Sequence, residues 1–341
     1  MPEPILEVKG LKVRFATEDG IVRAVDGVDF ELEPSKVLGI VGESGSGKSV
    51  TALTILGLTR AHNTAFEGEV LYKGRDLLSM SESRLRDVRG NEIAMIFQDP
   101  MTSLNPVYKV GDQIVEAIVT HESVSKRQAK RRAVELLRQV GFPNPEKRVD
   151  DYPHQFSGGM RQRAMIAMAL SCNPDILIAD EPTTALDVTI QAQILALLDT
   201  LRADFDSAVI LITHDLGVVA EFSDDVFVMY AGRGVERGSK ADIFYDPQMP
   251  YTWGLLGSIP RLDRPKPEQL HSITGSPPSL INLPRGCKFR PRCPHVFDKC
   301  QEEPELENRV EAPHHLDRCW LSVDDKRRLR EGTISGEARV A

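Results

Sequence analysis

The sequence predicts an α/β fold built around a parallel sheet, with a loop-rich appendage at the C-terminal end. Three short apolar runs, residues 37–41, 176–179 and 208–213, have the length and composition of buried strands. The first ends in a glycine-rich loop followed by a helical pattern, the second in an acidic pair and the third in a histidine. Because open α/β sheets bind ligands at the carboxyl ends of their strands, we expect these ends to form one site.

Length and charge narrow the class of protein further. A chain of 341 residues predicts a main domain with a smaller appendage. The net charge, 42 − 50 = −8, argues against general nucleic-acid binding. No run approaches the ~18 apolar residues of a membrane span, and the N-terminus lacks the basic and then apolar layout of a signal peptide. We therefore expect a chain that stays in the cytoplasm.

The chain opens with a β-rich segment. Residues 5–15 and 21–32 alternate apolar and polar positions, and an Asp-Gly turn signal separates them. The buried strand at 37–41 follows, and residues 49–58 are typical of a helix. Strand, glycine-rich loop and helix in this order predict a βα unit.

A helical insert is predicted between the first and second buried strands. Residues 106–155 lack strand alternation, and residues 126–141 place apolar side chains at helical spacing. The basic run at 126–132 belongs to this helix; it could contact nucleic acid or anionic lipid, but its amphipathic setting favours a solvated face. We expect the helical subdomain at about residues 100–170, within a main domain of residues 1–240.

The composition changes after about residue 240, where the sequence becomes rich in prolines, which cannot continue helices. These prolines are Pro247, Pro250, Pro260, Pro265, Pro267, Pro277, Pro278 and Pro284. They predict an extended, loop-dominated domain at residues 241–321. The tail at 322–341 is charged and nearly free of large apolar groups, so we expect a frayed helix rather than core there.

The glycine-rich loop matches the phosphate-binding pattern G-x-x-x-x-G-K-[ST] and lies between a strand and a helix, as the mechanism requires. Its backbone N–H groups and the helix N-terminus would face the phosphates, Lys48 would reach the β- and γ-phosphates, and Ser49 would bind Mg²⁺. A plain glycine turn before a lysine is the alternative, which the position disfavours. The candidate nucleotide-binding residues are Gly42, Glu43, Ser44, Gly45, Ser46, Gly47, Lys48, Ser49 and Val50.

Polar residues at the other strand ends are candidates for hydrolysis. Asp180 suits a second Mg²⁺ contact, and Glu181 could polarise the attacking water. His214 would reach the γ-phosphate, and Gln98, after the apolar run at 94–97, is a further candidate for a metal or water contact. A solvated acidic turn and a structural histidine are the alternatives; the phosphate loop in the same chain disfavours them.

Residues 156–163, FSGGMRQR, resemble the signature sequence of ABC transporter ATPases, with Phe and Met in place of the commoner Leu and Gln. The family's other motifs occur in order: the P-loop, a Q-loop at Gln98, a Walker B strand with Glu181, a D-loop at 185–187 and a switch histidine at His214. The resemblance covers residues 5 to about 240. It implies the ABC-type P-loop NTPase fold, with a RecA-like core, an antiparallel β subdomain and a helical subdomain.

The resemblance also assigns roles to further residues. Phe15 stands where an aromatic side chain stacks on adenine, and a core position is the alternative on an alternating strand. The N-terminus of the signature helix offers an anion site, which a second chain's nucleotide would fill, so two subunits would sandwich two ATP molecules head to tail. The residues facing the partner's ATP would be Ser157, Gly158, Gly159, Met160 and Gln162, with Asp187 in the D-loop.

A narrower resemblance links the chain to the ATPase subunits of dipeptide and oligopeptide importers, a family that also serves nickel, glutathione and other solutes. It is carried by FQDPMTSLNP at 97–106, YPHQ at 152–155, DEPTTALDVT at 180–189 and four cysteines between residues 287 and 319, the late cysteines. It implies a second, related ATPase, two membrane-spanning permease subunits whose coupling helix docks after Gln98, and an extracytoplasmic solute-binding protein. The chain would then lie on the cytoplasmic face of the cell membrane.

The sequence allows two other functions. A soluble ABC ATPase acting on DNA or ribosomes would show tandem cassettes or a long coiled-coil insertion, and the sequence has a single cassette. A redox-regulatory module built on the late cysteines is the second, with transport secondary. The sequence does not reveal the solute, because the binding protein and the permeases would select it.

Four cysteines are crowded near the C-terminus, with the spacing C-x5-C-x6-C-x18-C. In a reducing compartment this pattern suggests a metal centre before disulfides. Spacing leaves zinc and a [4Fe-4S] cluster open, and unligated thiols are a third reading; the resemblance implies the cluster, ligated by Cys287, Cys293, Cys300 and Cys319. Cys172 is expected in the core. His295, His314 and His315 could supply further ligands, but we expect them on the surface.

Overall fold

The computed structural model describes residues 3–99, 103–184, 186–258 and 273–334. Its strands are β1 (Leu6–Thr17), β2 (Gly20–Leu32), β3 (Val37–Val41), β4 (Thr64–Tyr72), β5 (Arg75–Asp76), β6 (Ile93–Ile96), β7 (Ile176–Asp180), β8 (Ala208–Ile212), β9 (Asp225–Tyr230), β10 (Arg233–Ser239), β11 (Glu307–Asn308) and β12 (Leu316–Asp317). Its α-helices are α1 (Lys48–Ile55), α2 (Glu82–Val88), α3 (Val110–His121), α4 (Lys126–Gln139), α5 (Pro145–Arg148), α6 (Gly158–Ala169), α7 (Val188–Phe205), α8 (Leu216–Phe222), α9 (Lys240–Tyr245), α10 (Pro250–Gly257) and α11 (Val323–Ile334).

Some predicted features lie outside the described residues. They are residues 100–102 of the stretch after Gln98, Ala185 of the D-loop, Pro260, Pro265, Pro267 and residues 335–341 of the tail. Among the residues that the structure does describe, no helix has the length and apolar character that crossing a membrane requires.

The first of two compact units contains the described residues among 1–6, 32–37 and 72–212. Strands β6, β7 and β8 lie side by side and parallel, with Met95 opposite Ile178 and Ile178 opposite Ile210. All three strands are buried along their whole length, as expected for apolar strands in a parallel sheet. The buried strands predicted at 176–179 and 208–213 are thus confirmed as β7 and β8.

Helices α3, α4 and α6 pack together in the same unit. Helix α4 begins at a capping box, in which the Ser125 Oγ accepts from the Gln128 N–H at 3.3 Å and the Gln128 Oε1 accepts from the Ser125 N–H at 3.0 Å. The helix buries Ala129, Ala133, Leu136 and Leu137, leaves Val134 half-buried and buries none of its basic residues. The helix predicted at 126–141 is confirmed, because the 3.6-residue period of its apolar side chains matches one packed face.

The second unit contains the described residues among 7–31, 38–71 and 213–341. One sheet has the order β11-β12-β10-β9-β3 within this unit, with β3 and β9 parallel and β9, β10, β12 and β11 antiparallel. In a second sheet β1 pairs with β2 and β4. Strands β1 and β2, joined by a two-residue turn, form the hairpin that the alternating pattern predicts.

The C-terminal part of this unit packs into the same apolar core as strands β3 and β9. Tyr230, Tyr251 and Phe289 form an aromatic cluster with ring centroids 4.6–5.4 Å apart, and Trp253 is fully buried in α10. Helix α10 begins at Pro250, so this proline stands in the first turn of a helix, where proline is favoured. Helices α9 and α10 open the region, and loops with short turns make up most of residues 273–322.

The tail forms the expected helix over its described residues, but this helix is packed and not frayed. Residues 323–334 form α11, which packs on α10. Lys326 is fully buried and its Nζ lies 2.7 Å from the Asp317 Oδ1. Arg330 donates to Asp246. A charged side chain can be buried when it is paired, and a pair formed with a distant residue leaves no apolar pattern in the sequence.

The prediction for His315 is also wrong, because its imidazole is buried. Its Nε2 lies 2.8 Å from the Oε1 of Glu236 on β10, which is fully buried too. The two groups satisfy each other in the interior, which the sequence could not show because 79 positions separate them. His314 is exposed and His295 is half-buried. Cys172 is buried, as predicted.

Candidate functional site

The phosphate loop, residues 42–49, connects β3 to the first turn of α1 in the second unit. Gly42, Gly45 and Gly47 all have positive φ angles. A Cβ at Gly42 would lie 2.1 Å from the Met229 carbonyl oxygen, and one at Gly47 would lie 2.4 Å from the Ala24 carbonyl oxygen. Side chains are excluded at both positions, so the path of the loop requires glycine there.

Lys48 is buried at the base of this loop. Its Nζ donates to the carbonyl oxygens of Gly42, at 2.8 Å, and Glu43, at 3.1 Å. The ammonium group is thus held by the loop's own backbone. Ser46 is buried as well, Ser44 and Gly45 are exposed, and Ser49 and Val50 are half-buried in the first turn of α1.

The carboxylate corner, which we define as Gln98, Asp180, Glu181 and Thr184, lies in the first unit. Asp180 ends β7 and is buried. Glu181 has a φ of 47°, and its N–H donates to the Ile212 carbonyl at 2.8 Å. Its Oε2 accepts from the Gln98 Nε2 at 3.1 Å and from the Thr184 Oγ1 at 2.8 Å. The structure therefore brings three of the predicted residues together and adds Thr184, which motif reasoning missed.

His214 and Phe15 belong to the second unit, like the phosphate loop. His214 follows β8 and is exposed, and the next residue, Asp215, caps α8 by accepting from the backbone N–H groups of Gly217 and Val218. Phe15 is half-buried near the end of β1. Both side chains are thus partly or fully accessible, as a contact with a ligand requires.

The signature residues begin α6 in the first unit. Ser157 is the N-cap, and its Oγ accepts from the Met160 N–H at 3.4 Å. A Cβ at Gly159 would lie 3.0 Å from the Ile190 Cγ2, and one at Gly158 would lie 3.6 Å from the Leu186 Cδ2. The start of α6 thus packs on the segment that enters α7.

Two more of these predicted residues complete the arrangement. Asp187 is the N-cap of α7, where its Oδ1 accepts from the Ile190 N–H at 3.0 Å. Gln162 is buried, and its Nε2 has no hydrogen-bond partner among the described residues. Two helix N-termini therefore lie next to each other, and each attracts anions through its backbone N–H groups.

The four late cysteines line one cavity in the second unit, together with Phe289 and Trp320. All four are free thiols, and the Cys287 N–H donates to the Cys300 carbonyl at 3.0 Å. Burial raises the pKa of Cys293 and of Cys319 to about 12. No three His, Cys, Asp or Glu side chains in the described part of the chain form a group that could hold a single metal ion.

Comparison with known proteins defines the family. A profile described as "ABC transporter" matches residues 25–184, and one described as "Oligopeptide/dipeptide transporter, C-terminal region" matches residues 235–300. The oligopeptide transport ATP-binding protein OppD of Salmonella typhimurium is 51% identical over 95% of this chain and 96% of its own length. The dipeptide transport ATP-binding protein DppD of Bacillus subtilis is 50% identical over 99% of both chains.

The chain belongs to the ATP-binding subunits of the oligopeptide/dipeptide transporter family. Solved ABC cassettes share its fold. The dimeric ATP-binding cassette MJ0796, bound to ADP and Pi, has a TM-score of 0.62 at 26% identity, over 69% of this chain and 98% of its own. The cassette cbiO1 of Clostridium perfringens has a TM-score of 0.60 at 27% identity, over 72% of this chain and 92% of its own. The predicted cassette fold of this family member is confirmed.

Proposed function

We propose that the chain hydrolyses ATP and thereby powers the import of dipeptides or oligopeptides through a membrane transporter. The buried Lys48, held by two carbonyl oxygens of a glycine-shaped loop, carries this proposal, because a fixed cation at a helix N-terminus is suited to binding the phosphates of a nucleotide. The peptide-transport names of relatives at about 50% identity support the class of solute.

The roles of the site residues follow from their chemistry. Residues 42–50 would hold the phosphates, and Phe15 would stack on the adenine. Ser49, Asp180 and Gln98 supply the oxygen atoms that Mg²⁺ prefers. Glu181, oriented by Gln98 and Thr184, would take the proton of the attacking water, and His214 would contact the γ-phosphate.

The assembly would be a heterodimer with a second, related ATPase. Ser157, Gly158, Gly159, Met160 and Gln162, with Asp187, would face the partner's ATP across the interface. The exposed Ser157 and Gly158 at the start of α6 support this use of the helix N-terminus, whereas Gln162 is buried within its own chain. Closure of the two ATPases around ATP would move two permeases, which the ATPases contact at the cytoplasmic face of the inner membrane. An extracytoplasmic protein would deliver the solute.

The domain division at about residue 240 remains part of this proposal. Residues 1–240 would form the ATPase domain, with the helical subdomain at about 100–170. Residues 241–321 would form the appendage that carries the cysteines, followed by the tail. The separate matches at residues 25–184 and 235–300 support a boundary between the two.

Transport assays on the assembled complex test the function. The wild-type complex in vesicles should take up di- or oligopeptides only with ATP, and release of inorganic phosphate should rise with the loaded binding protein. Nickel and glutathione should be assayed beside peptides as competing solutes. ATP hydrolysis stimulated by one of those solutes and by no peptide would overturn the solute class, whereas a complex that hydrolyses no ATP would overturn the enzymatic assignment.

We also propose a [4Fe-4S] cluster at Cys287, Cys293, Cys300 and Cys319. Four soft ligands around one buried cavity fit a cluster. Zinc is the alternative, and it fits less well because a single ion needs its ligands closer together than a cluster does, and no such group is found among the described residues. The cluster, when bound, would supply an electron store or a structural clip.

Metal analysis decides between these readings. After anaerobic purification, iron and acid-labile sulfide near four each per chain, lowered in Cys293→Ser and unchanged in Cys172→Ser, would support the cluster. About one zinc without sulfide would replace the cluster with a structural ion. If neither iron nor zinc is found, the four cysteines are unligated thiols. A change in ATPase activity on oxidation of the cluster would favour the redox-regulatory alternative.

A further inference from the structure

Arg292 connects the C-terminal region to the phosphate loop. Its side chain is 4% exposed, and its guanidinium forms a bidentate pair with Glu43, with Nη1 2.6 Å from Oε2 and Nη2 2.9 Å from Oε1. Glu43 is the second residue of the phosphate loop. The Glu43 side of the pair is partly exposed, but a bidentate pair is stronger and more directional than a single contact, so it holds the Glu43 side chain in one place.

The rest of the Arg292 side chain is held by backbone. Its Nε donates to the Thr274 carbonyl at 3.0 Å, and its Nη2 donates to the Gly275 carbonyl at 3.1 Å. Its Nη1 also lies 3.4 Å from the hydroxyl of Tyr230. The guanidinium therefore cannot follow Glu43 if the loop moves. It acts as a fixed point on the C-terminal region.

A second residue of the C-terminal region holds the backbone of Glu43. The Glu43 N–H donates to the hydroxyl of Tyr251 at 2.8 Å. Tyr251 is fully buried, and its ring packs against Tyr230 and Phe289. This N–H belongs to the loop whose backbone donors would face the phosphates, and the tyrosine directs it away from that role.

These contacts lead to the lysine of the loop. The Lys48 Nζ donates to the carbonyl oxygens of Gly42 and Glu43, and Glu43 is the residue that Arg292 and Tyr251 hold. A shift of Glu43 would move one of the two acceptors that position the ammonium group. The carboxylate of Glu43 adds a negative charge to a loop that would receive a triphosphate, and Arg292 neutralises it.

We propose that Arg292 and Tyr251 clamp Glu43 and thereby set the affinity of the phosphate loop for nucleotide. We call these three residues the Glu43 clamp. Both partners are positioning residues, since they act on the loop through Glu43. The inference rests on the proposed nucleotide site, and it adds that the cysteine-bearing region is part of the phosphate-binding apparatus of this subunit.

Equilibrium titration of the purified full-length chain with a fluorescent ATP analogue and Mg²⁺ tests the clamp. Arg292→Gln should weaken binding roughly tenfold, because an uncompensated carboxylate would then repel the phosphates. Arg292→Lys, which keeps the charge and loses the bidentate geometry, should fall between Arg292→Gln and wild type. Tyr251→Phe should weaken binding about threefold through the loss of one hydrogen bond.

A double-mutant cycle separates this role from general support of the fold. The loss caused by Arg292→Gln should shrink to less than about threefold when it is measured in a Glu43→Gln background, because the repelling charge is gone. Arg309→Gln is the matched control. Arg309 also donates to backbone carbonyls of the C-terminal region, those of Glu305 and Asp317. The Arg309→Gln variant should bind nucleotide as tightly as wild type.

The clamp is overturned if folded Arg292→Gln binds nucleotide as tightly as wild type, or if its loss is the same in the Glu43→Gln background. An equal loss in Arg309→Gln would also overturn it. Should Arg292→Gln fail to fold, the affinities of Arg292→Lys and Tyr251→Phe for nucleotide test the clamp instead. Wild-type affinity in both would overturn it. A wild-type chain that binds no nucleotide would overturn the proposed site, and the clamp with it; binding by wild type with clamp variants unaffected would overturn the clamp alone.

Discussion

The phosphate loop and the carboxylate corner are held in different ways. Contacts across 249 and 208 sequence positions, from Arg292 and Tyr251, hold Glu43 of the loop. In the corner, Glu181 is held by Thr184, three positions away, and by Gln98 at the end of a strand in the same unit. The loop therefore depends on the C-terminal region, whereas the corner depends on the strands and turn that form it.

Backbone conformation shows the same contrast. Positive φ angles in the loop occur at glycines, which adopt them without strain. In the corner a positive φ occurs at Glu181, where a side chain makes that conformation cost about 1–3 kcal/mol. A strained glutamate directly after a buried strand is expected where a carboxylate must point in a fixed direction. The loop is shaped for a ligand's phosphates, and the corner is shaped around one carboxylate.

The largest effect is expected in the corner. Glu181→Gln should lower ATP hydrolysis roughly 10²- to 10⁴-fold, because the amide cannot accept the proton of water, while ATP stays bound and the closed pair is trapped. Release of inorganic phosphate by the assembled complex, with the partner's own site disabled, measures this. Normal hydrolysis by Glu181→Gln in that complex would refute Glu181 as the general base.

The next effect concerns the loop. Lys48→Ala should weaken nucleotide binding roughly ten- to a hundredfold, since charge-assisted hydrogen bonds to the phosphates are lost. Titration calorimetry with ADP and ATP gives the affinity, and the melting temperature of the free variant serves as the control for folding. Unchanged affinity in a folded Lys48→Ala would show that the buried ammonium only ties the loop's carbonyls together.

A smaller effect would separate orientation from binding. Thr184→Val removes the hydroxyl that donates to the Glu181 Oε2 and preserves the shape of the side chain. We expect kcat to fall about tenfold or less, and KM for ATP to change less than about twofold, since one orienting hydrogen bond is lost and the phosphate loop is untouched. A rise in KM without a fall in kcat would place Thr184 in nucleotide binding.

The smallest effect is on stability, and it belongs to the unit of the loop. Burial would lower the pKa of His315, but its bond to the buried Glu236 raises that pKa above the ordinary value, with Asp242 and Asp317 contributing in the same direction. Protonated His315 therefore stabilises the folded state. This stabilisation is fully present below the unfolded pKa of about 6.5 and is lost as the pH rises through the folded pKa. Thermal unfolding should therefore show a stability that is greatest below about pH 6.5 and falls as the pH rises above it.

His315→Gln is the matched variant for this measurement. It keeps a hydrogen-bond donor beside Glu236 and removes the titrating group, so the dependence of the melting temperature on pH should flatten over the same interval. A wild-type slope that survives in His315→Gln would assign the pH dependence to other groups.

Much of this arrangement could be read from local patterns. The strands β7 and β8, the hairpin and helix α4 follow apolar periods of two or 3.6 residues, or short continuous apolar runs, within one segment each. The phosphate loop and the corner's acidic pair were found because their chemistry fixes spacing over a few residues. The motif order also pointed to the family, to which the chain belongs.

Other features depend on residues that meet only after folding. The burial of His315 and Lys326, the joining of four cysteines around one cavity and the Glu43 clamp all involve partners far apart in the chain. Periodicity reports which face of a segment is apolar, and it carries no information about which distant group neutralises a charge. Ion pairs and hydrogen bonds require specific positions in space, so the packing of the chain, and no pattern within a segment, selected Arg292 as the partner of Glu43.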